Sequence, residues 1–175
     1  MSLLNSVLKA FVGDKSKKDV KELQPILKQI KSFEAALEGL SLDELRAKTD
    51  EFKAKIKADR KELDDKIAEL TEQVHASTDI DKNEDIYAEI DKLQDEAYKI
   101  SEKTLNDILP EAFAVVKETA KRFVANENLE VTASEFDRKI SGTKDYVTLD
   151  GDKAIWKNSW DAAGKAVTWD MVHYD

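Results

Sequence analysis

Apolar residues three and four positions apart recur along most of this chain, and strict alternation replaces them near its carboxyl end. The first rhythm is that of helices with one buried stripe, the second that of strands. Leu3, Leu4, Val7, Leu8, Phe11 and Val12 open the helical pattern, with Asn5, Ser6 and Lys9 on the other side and Gly13 as its expected end. Val20, Leu23, Ile26, Leu27, Ile30, Phe33 and Leu37 mark a second helix. Pro25 falls inside it, so a kink or a later start is expected there. Gly39 stops this helix, and Ser41-Leu42-Asp43-Glu44 reads as a capping box for the next.

Two longer series follow. Leu42, Leu45, Thr49, Phe52, Ile56, Leu63, Ile67, Leu70 and Val74 alternate by three and four, with Arg60 as a polar interruption. Ile86, Ile90, Leu93, Ala97, Ile100, Leu105 and Ile108 repeat the pattern. Between them, His75 to Asp85 is rich in Ser, Thr, Asp and Asn, which predicts an antiparallel helical hairpin with a polar tip. The alternative is one long helix that pairs with a second copy. Asp79, Asp81 and Glu84 lack the spacing of a calcium loop and read as part of that tip.

The stretch 109–123 then reads as a separate helix with Pro110 in its first turn. Leu109, Ala112, Phe113, Val116, Ala120 and Phe123 form its expected buried face, widened by Val115. Beyond it, Glu130–Ala133 alternates like a strand. Tyr146–Leu149 and Ala154–Trp156 flank Asp150-Gly151 as a β-hairpin, and Ala166–Trp169 follows a turn at Ala162-Ala163-Gly164. Trp156, Trp160 and Trp169 are expected to pack a thin sheet. The predicted class is α+β: mostly helical, with a long antiparallel coiled-coil-like hairpin and a small antiparallel sheet near the carboxyl end.

Composition narrows the chemistry. Charged residues are 37% of the chain and hydrophobic ones 41%, which suits long solvated helices over a modest core. The net charge is −9, yet residues 1–31 carry seven lysines against Asp14, Asp19 and Glu22. An acidic body disfavours nucleic acid, whereas an apolar helix followed by Lys15, Lys17 and Lys18 suits an anionic membrane surface or a partner protein. The bland alternative is a terminal helix folded onto its own body. No cysteine is present, so disulfides and thiolate metal sites are excluded, and two distant histidines argue against a histidine metal site. No Ser-His-Asp or Cys-His arrangement is visible, and His173 beside Tyr174 and Asp175 carries no catalytic geometry.

One stretch points to a family. Ile108 to Phe123, I-L-P-E-A-F-A-V-V-K-E-T-A-K-R-F, closely resembles the helix that opens the first nucleotide-binding domain of SecA, the ATP-driven motors of preprotein translocation. Leu40-Ser41, Asp43-Glu44-Leu45, Lys48-Thr49 and Glu51-Phe52 resemble an early helix of that family, and the opening helix with its lysines is similar to the family's amino terminus. Met171-Val172-His173-Tyr174-Asp175 resembles the family's G-M-R-H-F-D segment, with Asp170 in place of its Gly and Val172 in place of its Arg.

The resemblance implies a division of the chain. Residues 1–40 would be the amphipathic arm and a kinked helix; 41–108 the hairpin, with 57–105 an insertion relative to shorter members; 109–125 the central helix of the nucleotide-binding domain. Residues 126–170 would be an inserted β module, and 171–175 the start of the adenine-binding segment of a truncated RecA-like domain. It implies attachment to the Sec channel and an anionic membrane through Leu3, Leu4, Val7, Leu8, Lys9, Phe11, Lys15, Lys17 and Lys18, at the cytoplasmic face of the membrane. Met171 and Tyr174 would edge an adenine pocket, with ATP, magnesium and preprotein handled by the longer motor. No G-x-x-x-x-G-K-[ST] run occurs in the 175 residues, so this stretch alone is expected to be a fragment that hydrolyses no ATP. The alternative is a self-contained hairpin module that binds a protein and catalyses nothing; a homodimer stays open on either reading.

Overall fold

The computed structural model describes the backbone of residues 3–169 and the side chains of 18–169. Three long helices, α1 (Leu3–Glu38), α2 (Leu42–Ala76) and α3 (Ile80–Ala125), precede β1 (Asn128–Thr132), a short α4 (Glu135–Ser141) and four further strands. These are β2 (Val147–Asp150), β3 (Lys153–Lys157), β4 (Ser159–Ala162) and β5 (Lys165–Thr168). The chain is thus mostly helical with small antiparallel sheets near its carboxyl end. It divides into two compact units, Arg46–Leu109 and the flanking Met1–Leu45 with Pro110–Asp175.

The Arg46–Leu109 unit is an antiparallel hairpin. Leu70, Val74, Ile86, Ile90 and Leu93 form its buried cluster, with Leu63 and Ile67 packed against it. Cross-helix bonds run in opposite senses along the two helices: Thr104 Oγ1 donates to Asp59 Oδ2 (2.7 Å), Arg60 Nη1 to Ser101 Oγ (3.4 Å), and Lys66 pairs with Glu89 (3.0 Å). Burial of Thr104 rather than Leu105 moves the seam by one position from the expected series, and Leu105 and Thr49 face solvent. The tip is three residues, Ser77 to Asp79, instead of the expected eleven. Asp79 explains the difference. Its Oδ1 accepts from the Lys82 N–H (3.2 Å), which caps α3 and lets the helix begin among polar residues. The turn at the tip also removes the single-long-helix alternative.

In the flanking unit, α1 runs without a break through both Gly13 and Pro25. One interior glycine costs only about 1 kcal/mol, too little to end a helix of this length. The α1–α2 junction follows the expected box: Glu44 N–H donates to Ser41 Oγ (3.2 Å), and Ser41 N–H donates to Glu44 Oε2 (2.7 Å). Leu37 and Leu45 are buried on either side of it.

Pro110 does not start a new helix; it lies inside α3. The lost N–H bond and the ring's clash are local, and packed residues on both sides, Ile108 before it and Ala114 and Val115 after it, hold the helix together. The division between the compact units falls at this residue. The expected buried face is also only half right. Ala114, Val115 and Ala120 are buried, whereas Phe113 is 58% and Val116 55% exposed.

The strands build two sheets. The first has order β1-β3-β2, all antiparallel, and Leu129, Trp156 and Val147 stand side by side across it. Gly151 takes φ 58° in the tight β2–β3 turn, where a side chain would strain the backbone. The second sheet is the hairpin β4–β5, whose first strand the alternation did not reveal. Helix α4 was likewise unexpected. Its signal was present as Ser134-x-x-Asp137, another capping box.

Candidate functional site

The residues expected to attach the chain to a surface lie on α1. Leu3, Leu4, Val7, Leu8, Lys9, Phe11, Lys15 and Lys17 belong to its helical backbone, and their side chains lie outside the described ones. Lys18 is exposed and lies 3.9 Å from Glu22. From there the same helix presents Val20, Leu23, Ile26 and Leu27 to solvent. The bland expectation, a terminal helix folded onto its own body, concerns Leu3–Val12, whose side chains lie outside the described ones. Val20, Leu23 and Leu27 share one side by helical spacing. Pro25, Gln24, Leu27, Lys28 and Lys31 line a shallow depression of about 490 Å³. An apolar side rimmed by lysines matches a surface that is itself anionic and partly apolar.

The base of α1 is fixed on α3. Lys117 pairs with Glu34 (3.3 Å) and Lys121 with Glu38 (3.0 Å), so the two segments run in the same direction. Arg122 joins the same contact. Its Nη2 donates to the Leu37 carbonyl (2.9 Å) and its Nε to Glu118 Oε1 (2.8 Å). It thereby satisfies a carbonyl at the end of α1, a helix with no basic residue in its own last turn. Glu118 is buried and balances that guanidinium. The Glu38 carboxylate holds the Lys121 ammonium above its ordinary range, with Glu118 adding to the effect. Sequence spacing could not show Arg122 acting on a helix 85 residues away.

A second fixed point ties β1 to the start of α2. Thr132 N–H donates to Asp43 Oδ1 (2.9 Å) and Thr132 Oγ1 to Asp43 Oδ2 (2.7 Å). Behind it, Asp137 is fully buried. It accepts from Ser134 N–H (2.8 Å), Ser134 Oγ (2.8 Å) and Trp156 Nε1 (3.1 Å). Phe136 stacks on Trp156 with ring centres 6.4 Å apart, and Tyr146 lies 6.1 Å from the same ring. Trp169 meets Trp160 edge-on (6.0 Å) and stacks on Phe123 (5.4 Å). The three tryptophans are packing residues, as the alternation suggested, but they serve two separate clusters.

Met171 and Tyr174 lie outside the described residues. Among the described residues no group of three His, Cys, Asp or Glu could hold a metal ion, and no helix is long and apolar enough to cross a membrane.

Comparison with known proteins decides the family. The profile of the SecA DEAD-like domain matches residues 8–144. The chain belongs to the SecA family. The Protein translocase subunit SecA of Christiangramia forsetii is 68% identical over all 175 residues, and that of Flavobacterium psychrophilum 61% identical over the same span. The SecA subunit of Bacteroides fragilis is 44% identical over 98% of the chain. The chain spans about 16% of the length of the first two of these SecA relatives and 15% of the third. Because the alignments with the first two are end to end, those SecA proteins match the hairpin and the strand-rich region as well as the helices around them. No solved structure matches the chain.

Proposed function

We propose that this stretch is the anchoring and scaffolding part of a SecA-type motor that uses ATP to drive preproteins through the Sec membrane channel. The observation that carries the reading is the 68% identity, over every residue, to a protein translocase subunit. The structure adds physical support. The arm of α1 offers apolar and cationic groups outward, which suits the channel and an anionic membrane at its cytoplasmic face. The part of α3 beyond Pro110 leaves Phe113 and Val116 open, as a helix does when further elements of a RecA-like domain are to pack on it.

On this reading residues 57–105 and 126–170 are insertions relative to shorter SecA proteins, the second tied to the start of α2 by the Asp43–Thr132 bonds. Met171 and Tyr174 border the adenine. The 175 residues contain no phosphate-binding G-x-x-x-x-G-K-[ST] run, so phosphate and magnesium are held by other parts of the motor.

The test replaces Lys9, Lys15, Lys17 and Lys18 by glutamine in the full-length motor. Flotation with vesicles rich in anionic lipid should fall, and channel-dependent preprotein transport should fall with it, while basal ATP hydrolysis stays near the wild-type rate. Unchanged flotation and transport would refute the attachment role. Magnesium-dependent ATP turnover by the purified 175-residue chain would refute the scaffold role.

A further inference from the structure

Within the hairpin unit, α3 carries a second apolar row besides its buried seam. Ile80, Tyr87, Tyr98 and Leu105 are each at least half exposed. They are spaced by seven and eleven residues, two and three turns, and so lie on one side of the helix. The row is about 37 Å long at 1.5 Å per residue. The seam formed by Ile86, Ile90, Leu93 and Ala97 lies roughly a third of a turn away. The row is therefore no spill-over from the core.

On α3 itself the charges beside it are of one sign, and Arg60, which reaches Ser101 from α2, is paired with Asp64. By helical spacing Glu84, Asp91, Asp95 and Glu102 line one edge of the row, and all are exposed, while Asn83, Gln94 and Ser101 line the other. Lys92, Lys99 and Lys103 fall further round the helix. None of the four carboxylates has an ion pair among the described residues, whereas Asp59, Asp64, Asp65, Glu89 and Asp107 of the same hairpin each pair with a Lys or Arg. A solvated helix of this composition usually mixes signs along each face. This face keeps tyrosines, aliphatic side chains and uncompensated negative charge together.

We propose that the outward face of α3 from Ile80 to Leu105 is a docking strip for a cationic amphipathic helix of a partner protein. Charge complementarity selects that occupant. An anionic membrane would be repelled by Glu84, Asp91, Asp95 and Glu102, and a second copy of the same face would set those carboxylates against each other. The tyrosines supply rigid anchors with a polar tip, and the flanking carboxylates steer lysine or arginine onto the rim. The strip is distinct from the cationic surface on α1 and does not depend on the function assigned to that surface.

The probe is a fluorescent synthetic helix with one leucine face and one lysine face; its counterpart carries glutamate in place of lysine. Fluorescence anisotropy with the 175-residue chain reads affinity and salt dependence, and circular dichroism confirms the fold of each variant. The lysine helix should bind and the glutamate helix should not. The pair Tyr87→Ser and Tyr98→Ser should weaken binding about tenfold without altering charge. The set Glu84→Gln, Asp91→Asn and Glu102→Gln should weaken it and flatten the salt dependence. Removing the same charge elsewhere on the hairpin, by Glu62→Gln, Glu72→Gln and Glu96→Gln, should change affinity less than twofold. Equal loss from the two charge sets, or full affinity in the tyrosine pair, would overturn the proposal, because binding would then follow bulk charge alone. Dimerisation in light scattering that the tyrosine pair abolishes would also overturn it, by giving the face to a second copy.

Discussion

The two halves of α3 make the same kind of promise in sequence and keep it differently. Before Pro110, Ile86, Ile90 and Leu93 meet Leu70 and Val74 of the partner helix and are buried. After it, Ala114, Val115 and Ala120 are covered, but Phe113 and Val116 of the expected face are not. Periodicity reports that a face is built to be covered. It does not report whether these 175 residues supply the cover. In the hairpin each helix is the other's cover, so the pattern and the structure agree almost throughout. Around Phe113 they part, because no part of these described residues covers Phe113 and Val116.

The β module sharpens that contrast, because a fully buried carboxylate, Asp137, sits beside its buried Leu129, Val147 and Ala154. Replacing Asp137 by alanine removes the acceptor of the Trp156 N–H and of two Ser134 donors at a part-buried site. Loss of hydrogen bonds to a charged group of this kind costs on the order of 4 kcal/mol. Tryptophan fluorescence in a urea titration should show the module melting well before the hairpin. A single transition at the wild-type midpoint would count against the assignment.

Within α3 the comparison can be made residue by residue. Ile90→Ala, in the hairpin core, should lower stability by about 3 kcal/mol. Val116→Ala, of similar chemistry on the open face, should change it by less than about 0.5 kcal/mol in this chain. Urea denaturation followed by circular dichroism separates the two. Similar losses would mean that the Val116 face is covered after all.

The smallest effect concerns pH. Hydrogen bonds from the Ser41 hydroxyl and backbone hold the Glu44 carboxyl below the usual glutamate range. A depressed pKa stabilises the fold above the unfolded value, and that contribution fades as pH falls through the folded one. Ser41→Ala should therefore cost stability at neutral pH, and the gap to wild type should narrow on acidification. A gap that is constant from neutral to acid pH would contradict the hold of the Ser41 hydroxyl on the Glu44 carboxyl.

Much of the architecture was legible in the residues. The capping box at Ser41, the hairpin seam and the Gly151 turn each rest on short-range rules, and the structure follows them. The seam's shift from Leu105 to Thr104 was not legible, because it depends on Asp59 waiting opposite. Nor was the three-residue tip, which depends on Asp79 capping its own helix. Arg122 and Asp137 escaped notice for the same reason: their partners, Leu37 and Trp156, are distant in sequence and near only in the fold. On α1 the apolar spacing and the lysine clustering were legible in the residues, whereas the exposure of Val20, Leu23, Ile26 and Leu27 needed coordinates.

We propose that the open face of α3 receives further elements of a SecA motor. The chain has no cysteine, so Val116→Cys gives a single thiol. Its rate of modification by a water-soluble maleimide should be compared between this chain and a cysteine-free full-length motor carrying the same substitution. The account predicts rapid labelling in the 175-residue chain and strong protection in the motor. Equal rates in both would contradict it.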